Sequence, residues 1–262
     1  MTAKPELIDV NVYTGHWPFR RVPGDEPGAL VAKLREQNVI QAWTGSFDGL
    51  FHRDMAAVNE RLTRVCREHG GGLLIPFGSV NPALPDWEDD LRRCHEVHGM
   101  EGIRLHPNYH GYKLDDPKFA RLLAVATERK LIVQLAISME DERTQSPLML
   151  VPHVDAAPLV ALVKSLPALR LVLLNTFRGV AIPKVAELIA AGQVYTDIAM
   201  LEGVGGVSRL IEQTVAERIL FGSHFPFFHH ESATLKLRES PLAQPHLNAV
   251  ARENAEKLGT RR

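Results

Sequence analysis

The sequence predicts one closed (β/α)8 barrel, a TIM barrel of parallel strands with helices outside, spanning residues 1–262 as a single domain. Three observations predict it. Eight short apolar runs begin near residues 7, 39, 73, 102, 131, 169, 194 and 219. Each is followed by a segment of helical periodicity, and strands that alternate with helices imply a parallel sheet. The 262 residues suit one barrel, and no linker, repeat or low-complexity segment divides them. A doubly wound open sheet is the competing architecture, but no G-x-G-x-x-G follows the first strand.

The elements follow in order. Leu7 to Val12 reads as the first strand, and Gly15, Pro18, Pro23, Gly24 and Pro27 mark a loop after it. A helix carries Leu30, Val31 and Leu34 on one face, and Val39 to Thr44 is the second strand. Phe51 to His69 is the clearest helix: Met55, Val58, Leu62 and Val65 recur at steps of three and four before Gly70, Gly71 and Gly72 end it. Strand Leu73 to Val80 precedes a helix over Asp86 to His98, and strand Gly102 to His106 precedes a helix capped by Asp115. Leu131 to Ile137 is the fifth strand. The long segment Ser138 to Val154 either lids the barrel mouth or meets a neighbouring subunit. Helix Pro158 to Ser165, the almost wholly apolar strand Leu169 to Leu174 and helix Val180 to Ala191 follow. Strands Val194 to Ile198 and Ile219 to Ser223 alternate with helices Val207 to Ala216, Ser232 to Glu239 and His246 to Leu258.

Composition narrows the class. Apolar residues make up 45% and charged residues 23%, which is globular rather than disordered. A net charge of −1 argues against nucleic acid or an anionic membrane as the main partner. The two cysteines, Cys66 and Cys94, make neither a disulfide framework nor a four-cysteine zinc site. No apolar run approaches a membrane span, and Met1 to Glu6 lacks the apolar core of a signal peptide. A cytoplasmic protein with a small-molecule partner is expected, with homo-oligomers open to it.

Barrels of this kind work at the C-terminal ends of their strands. Asn11, Tyr13 and His16 follow the first strand, and Arg104, His106 and His110 the fourth. Ser138 and Glu140 to Arg143 follow the fifth, Asn175 and Arg178 the sixth, and Asp197 and Glu202 the seventh. His224 and then His229, His230 and Glu231 follow the eighth. The opposite ends carry Glu6, Lys130, Arg170 and Arg218, the charge of a solvated rim. Each candidate has a bland reading too. His106 before Pro107 either acts or shapes a turn. His224, after the small pair Gly222-Ser223, is a mouth-facing group or a core histidine. His229-His230-Glu231 reads better as a helix entry than as a metal site. Arg143 either clamps a carboxylate with its planar fork or joins its acidic neighbours.

Several stretches, taken together, carry a resemblance. They are Ile8-Asp9-Val10-Asn11-Val12-Tyr13-Thr14-Gly15, Gly102-Ile103-Arg104-Leu105-His106-Pro107, Arg170 to Asn175, Ile219 to Phe227 and Glu253 to Leu258. The chain resembles the amidohydrolase superfamily, in its amidohydrolase-related group of TIM-barrel metal-dependent hydrolases and decarboxylases. The resemblance implies a divalent metal held by His-x-His on the first strand, one histidine each on the fifth and sixth, and an aspartate on the eighth. At those places stand Asn11-Val12-Tyr13, Ala136 (with Leu135 and Gln134 just before it), Asn175 and His224. Asn and a neutral Tyr are weak zinc ligands, and Ala is none.

Three readings stay open. A divalent metal, zinc first, binds at a shifted site using His224 with His16, His106 or His110. Or the barrel runs metal-free chemistry on a small carbonyl or carboxylate compound. His224 then acts as base, Tyr13 donates, and Asn11 and Asn175 hold an oxyanion. His16, His106, Arg104, Arg143 and Arg178 bind substrate. Or the barrel binds a ligand without turning it over. The resemblance makes hydrolysis the default reaction and decarboxylation the next.

Overall fold

A computed structural model describes residues 5–259. Eight parallel strands lie in sequence order: β1 (Leu7–Thr14), β2 (Val39–Ser46), β3 (Leu74–Ser79), β4 (Gly102–Leu105), β5 (Ile132–Ala136), β6 (Arg170–Leu174), β7 (Val194–Asp197) and β8 (Ile219–Leu220). The sheet closes on itself where β1 meets the chain of β8. Val10 N donates to Phe221 O at 3.0 Å and Tyr13 N to Phe225 O at 2.9 Å. The expected (β/α)8 barrel is therefore present.

Helices wrap the outside: α1 (Pro27–Glu36), α2 (Asp48–Phe51), α3 (Met55–Gly70), α4 (Trp87–Glu96), α5 (Pro107–His110), α6 (Pro117–Glu128), α7 (Leu159–Ser165), α8 (Ile182–Ala191), α9 (Gly206–Gln213), α10 (His230–Arg238), α11 (Gln244–Asn248) and α12 (Asn254–Gly259). Their apolar stripes pack on the strands, as Leu62 of α3 and Leu188 of α8 do in two large clusters. A third cluster joins Val10, Trp43, Phe77, Val172 and Leu220 to Leu258 of α12. Within it the rings of Trp43 and Phe77 stack at 4.8 Å.

The departures from expectation are local and have causes. The helix expected over Phe51 to His69 breaks at His52. α3 starts afresh with Asp54, whose side chain accepts from Ala57 N. Asp116, not Asp115, caps α6, accepting from Lys118 N. β8 stops at Leu220 rather than Ser223, because the Asp9 carboxylate takes Ser223 N at 3.0 Å and Ser223 Oγ at 2.5 Å. The final helix is interrupted by a π turn over Ala249–Glu253. Arg170, expected on a solvated rim, is buried; it donates to Leu258 O at 2.8 Å and also to Lys130 O. The first of these bonds ties α12 to the base of β6.

Gly102 opens β4 where neighbours leave no room for a side chain. A Cβ there would lie 2.3 Å from Phe77 Cε1 and 2.6 Å from the Ile132 carbonyl oxygen. Gly102→Ala is expected to destabilise the barrel by about 1–3 kcal/mol. Urea unfolding would show it as a lower midpoint at an unchanged slope.

Candidate active site at the barrel mouth

The strand ends deliver a polar group to one buried spot. β1 brings Asn11 and Tyr13, and His106 follows β4. Asn175 follows β6, Asp197 ends β7, and His224 lies just beyond β8. All six are buried. Asn175 and His224 have left-handed backbones, with φ of 55° and 58°. That conformation costs an L-residue about 1 kcal/mol. Asn and His are among the types found there most often.

Their hydrogen bonds form one network. Asn11 Nδ2 donates to Asp197 Oδ2 at 2.6 Å and to Asn175 Oδ1 at 2.8 Å. The second Asp197 oxygen accepts from Asn175 N at 3.0 Å. Asn175 Nδ2 donates to Ser138 O at 2.8 Å and lies 3.3 Å from His224 Nδ1. His224 Nε2 is 2.6 Å from the Met139 carbonyl, so this nitrogen carries the proton and Nδ1 keeps a lone pair. Tyr13 Oη lies 3.0 Å from His106 Nε2 and 3.4 Å from Met139 Sδ. A ring nitrogen is the stronger acceptor, so Tyr13 donates to His106 and the His106 proton sits on Nδ1.

Burial sets the charges. It pushes His224 down to about 4 against the pull of the Met139 carbonyl, and His110 down to about 4. His106 falls well below its ordinary value, first through burial and then through the nearby His110 and Arg104. The imidazoles are neutral at pH 7. Burial also raises the Tyr13 phenol, against the Arg104 guanidinium. Asp197 rises to about 6 through burial, although Asn11 and Asn175 donate to it.

The other expected residues lie elsewhere. Arg104 is buried beneath the mouth. It donates to Gln134 Oε1 and to the carbonyls of Val10, Val12 and Trp43 at 2.7–3.2 Å. Its guanidinium also lies 4.4 Å from the Tyr13 ring centre. It braces β1 and β2 from within. His16 is exposed at the rim, 2.9 Å from Asp25. Arg143 pairs with Asp141, and Arg178 with Asp141 and Glu202, which is the local charge network considered for Arg143. Sequence reasoning named Asp197 without giving it a role, and it passed over Met139. Asp197 had a signal, its place at a strand end; Met139 had none.

The residues present do not fit the divalent ion that the resemblance implies. Asn11 gives its amide N–H groups to Asp197 and Asn175, Asn175 gives its own to Ser138, and Ala136 has no donor atom. His224 is tied to Met139, while His110 Nε2 meets Gly49 O at 2.8 Å. Among the described residues no three His, Cys, Asp or Glu side chains are grouped to hold a metal.

An aromatic cluster of Tyr13, Trp17, Phe47 and Phe227 closes over the mouth with Met139. Phe227 stacks on His224 at 5.2 Å. Beside it remains a cavity of about 10 Å³, lined by His106, Asn108, Tyr109, Ser138, Met139 and His153 among others. That is room for about one water. A larger cavity of about 780 Å³ lies at the other end of the barrel, lined by Leu7, Leu237, Leu247 and Arg252 among others. It is remote from the polar group.

The Amidohydrolase family model matches residues 14–258. The chain belongs to the amidohydrolase family. Solved structures agree on the fold of this amidohydrolase-family chain. A dihydroxybenzoic acid decarboxylase from Polaromonas sp. JS666, with bound manganese and 2-nitroresorcinol, superposes with TM-score 0.78 at 13% identity, covering 97% of this chain and 96% of that one. A 2,6-dihydroxybenzoate decarboxylase from Rhizobium gives 0.72 at 14% identity, covering 97% and 98%. A 5-carboxyvanillate decarboxylase from Sphingomonas paucimobilis gives 0.75 at 13%, covering 97% and 98%. No curated protein matches the chain. Among the described residues no helix is long and apolar enough to cross a membrane.

Two outcomes follow from this geometry. Arg104→Met strands several buried carbonyls at about 1–3 kcal/mol each. The variant should lose at least about 3 kcal/mol in urea unfolding. The pH dependence has a definite sign. His106, His110 and His224 stay neutral in the fold but protonate when unfolded below about 6.5, which destabilises the fold as pH falls. Asp197 and Asp90, both raised to about 6, act oppositely between about 4 and 6. Lowered His98 sides with the imidazoles, and raised His16 and Glu140 with the aspartates, but the three buried imidazoles carry the larger shifts and leave a net loss of stability from pH 7 to pH 5. His110→Gln should change that slope by about one proton, or about 1.4 kcal/mol per pH unit.

Proposed function

We propose that this amidohydrolase-family protein is a hydrolase of small carbonyl or carboxylate compounds that works through its own acid–base groups. The observation that carries this reading is the 3.0 Å contact of Tyr13 Oη with His106 Nε2 beside a neutral His224, at the strand ends where barrel enzymes act. His106 and His224 each present one protonated and one free nitrogen, so each can take or give a proton without first losing a charge. Tyr13, with its phenol held protonated, donates to oxygen developing negative charge. Asn11 and Asn175, fixed by Asp197, orient the donors.

Substrate reaches these groups once Met139 turns aside, because it rests on both Tyr13 and His224. Its departure frees His224 Nε2–H to donate. One observation favours a second reading, ligand binding without turnover: the mouth is packed with aromatic rings. Decarboxylation is the third, because the similar solved structures above are those of decarboxylases.

The test is a panel of short esters, lactones and hydroxylated benzoic acids, followed for acid release and carbon dioxide. Chelator-insensitive hydrolysis is expected. Tyr13→Phe and His224→Ala should each lower kcat/KM by about 10²–10⁴-fold with the circular dichroism unchanged. Hydrolysis abolished by chelator and restored by zinc or manganese would refute the proposal. Thermal stabilisation by a panel member without product would establish the binding reading instead.

A further inference from the structure

Apart from that group, a second set of side chains converges at the mouth. Ser138 lies two residues beyond the end of β5 and is buried. Its Oγ is in close hydrogen-bond contact with His153 Nδ1, and His153 Nε2 is in equally close contact with Glu142 Oε1. The scaffold holds the set in place. Ser138 O accepts from Asn175 Nδ2 at 2.8 Å, and Val154 N donates to Ile137 O at 3.0 Å. Gly179 packs under His153 so closely that a Cβ there would lie 2.9 Å from His153 Cβ. Ser138 and His153 line the 10 Å³ cavity.

We propose that Ser138, His153 and Glu142 are the nucleophile, base and orienting carboxylate of a serine hydrolase site whose substrate is an uncharged ester of a short carboxylic acid. The inference rests on the hydrolase reading above and supplies the nucleophile that reading lacks. In serine proteases the serine faces Nε2 and the carboxylate faces Nδ1. Here the ring is turned round and the roles are kept. Glu142 accepts a hydrogen bond from Nε2–H, so Nδ1 offers its lone pair to the Ser138 hydroxyl.

The chemistry balances. Ser138 Oγ attacks the acyl carbon while its proton passes to His153 Nδ1. The bond to the alcohol oxygen breaks, and that oxygen takes the proton from Nδ1. Solvent water then attacks acyl-Ser138, giving a proton to Nδ1. The bond to Oγ breaks, and Oγ recovers the proton. Ester and water become acid and alcohol. His106 lines the same cavity, and its buried Nδ1 has no hydrogen-bond partner among the described residues. With Nε2 accepting from Tyr13, that Nδ1–H is a donor available to the oxyanion. No Lys or Arg lines the cavity and Glu140 does, which disfavours an anionic acyl group. The cavity holds about one water, so an acyl group enters only when Met139, which lines it, turns aside, and a short one needs the least room.

The experiment treats the full-length protein with a small dialkyl fluorophosphate and reads intact mass and peptide maps. One adduct per chain on Ser138 is expected. Labelling should slow at least about 100-fold in His153→Gln. Ser138→Ala should lose both the label and hydrolysis of p-nitrophenyl acetate. The labelling of the wild-type chain does not depend on how any variant folds. No adduct, or an adduct elsewhere, overturns the proposal. Ester hydrolysis that persists in Ser138→Ala but falls in Tyr13→Phe overturns it alone and leaves the reading under Proposed function standing. A wild-type chain that hydrolyses no ester overturns both.

Discussion

Asp197 divides its two oxygens between Asn11 and the backbone of Asn175, and the rest of the mouth is built on that division. The bond to Asn175 N helps hold this residue in its left-handed turn. The turn aims the Asn175 amide at Ser138 O and towards His224. His224 then holds the Met139 carbonyl. A carboxylate at the end of β7 thus fixes Ser138 and Met139, the second and third residues after β5. The arrangement is strong because the acceptor is ionisable and buried. Charge-assisted bonds are roughly twice as strong as neutral ones. Removing the carboxylate would leave two buried donors without partners.

Arg104 governs the same region through its field. It is a buried cation whose donors bond Gln134 and backbone carbonyls of β1 and β2, so it is held beneath the mouth. From there it discourages a second positive charge on His106 and His224, adding to the effect of burial. Neutral imidazoles are the form that can shuttle protons near pH 7. The residue first considered as a grip for substrate therefore tunes the groups above it while bracing the strands that carry them.

The barrel was legible because its signals are local. Periodicity along Met55, Val58, Leu62 and Val65 needs no knowledge of neighbours, and neither does an apolar run such as Leu171 to Leu174. Where a distant group intervenes, the local signal fails. Asp9 ends the β8 ladder by taking Ser223, and the Leu258 carbonyl draws Arg170 inward. The site follows the same rule. Asn11, Tyr13, His106, Asn175 and His224 were legible as a group because parallel strands bring their ends to one mouth. His16, Arg143 and Arg178 share those ends in sequence, yet their loops carry them to acidic partners at the surface. Ser138, Glu142 and His153 span an irregular segment with no period, so only its path in space unites them.

The closed mouth also sets how such a site would meet a ligand. Turning Met139 aside, as the proposed function requires, breaks its bond to His224, worth about 1 kcal/mol net. It also returns the Met139 side chain to water, at about 2 kcal/mol. A gap of about 3 kcal/mol leaves on the order of one molecule in a hundred open. Apparent affinity falls by that same fraction, because only the open form admits ligand. The closed form has a compensating value. With water excluded, each dipole around Tyr13 and His106 acts in a medium of low dielectric. The contacts that hold Met139 down are the ones that would make the proposed chemistry beneath it strong, so loosening Met139 trades rate for access.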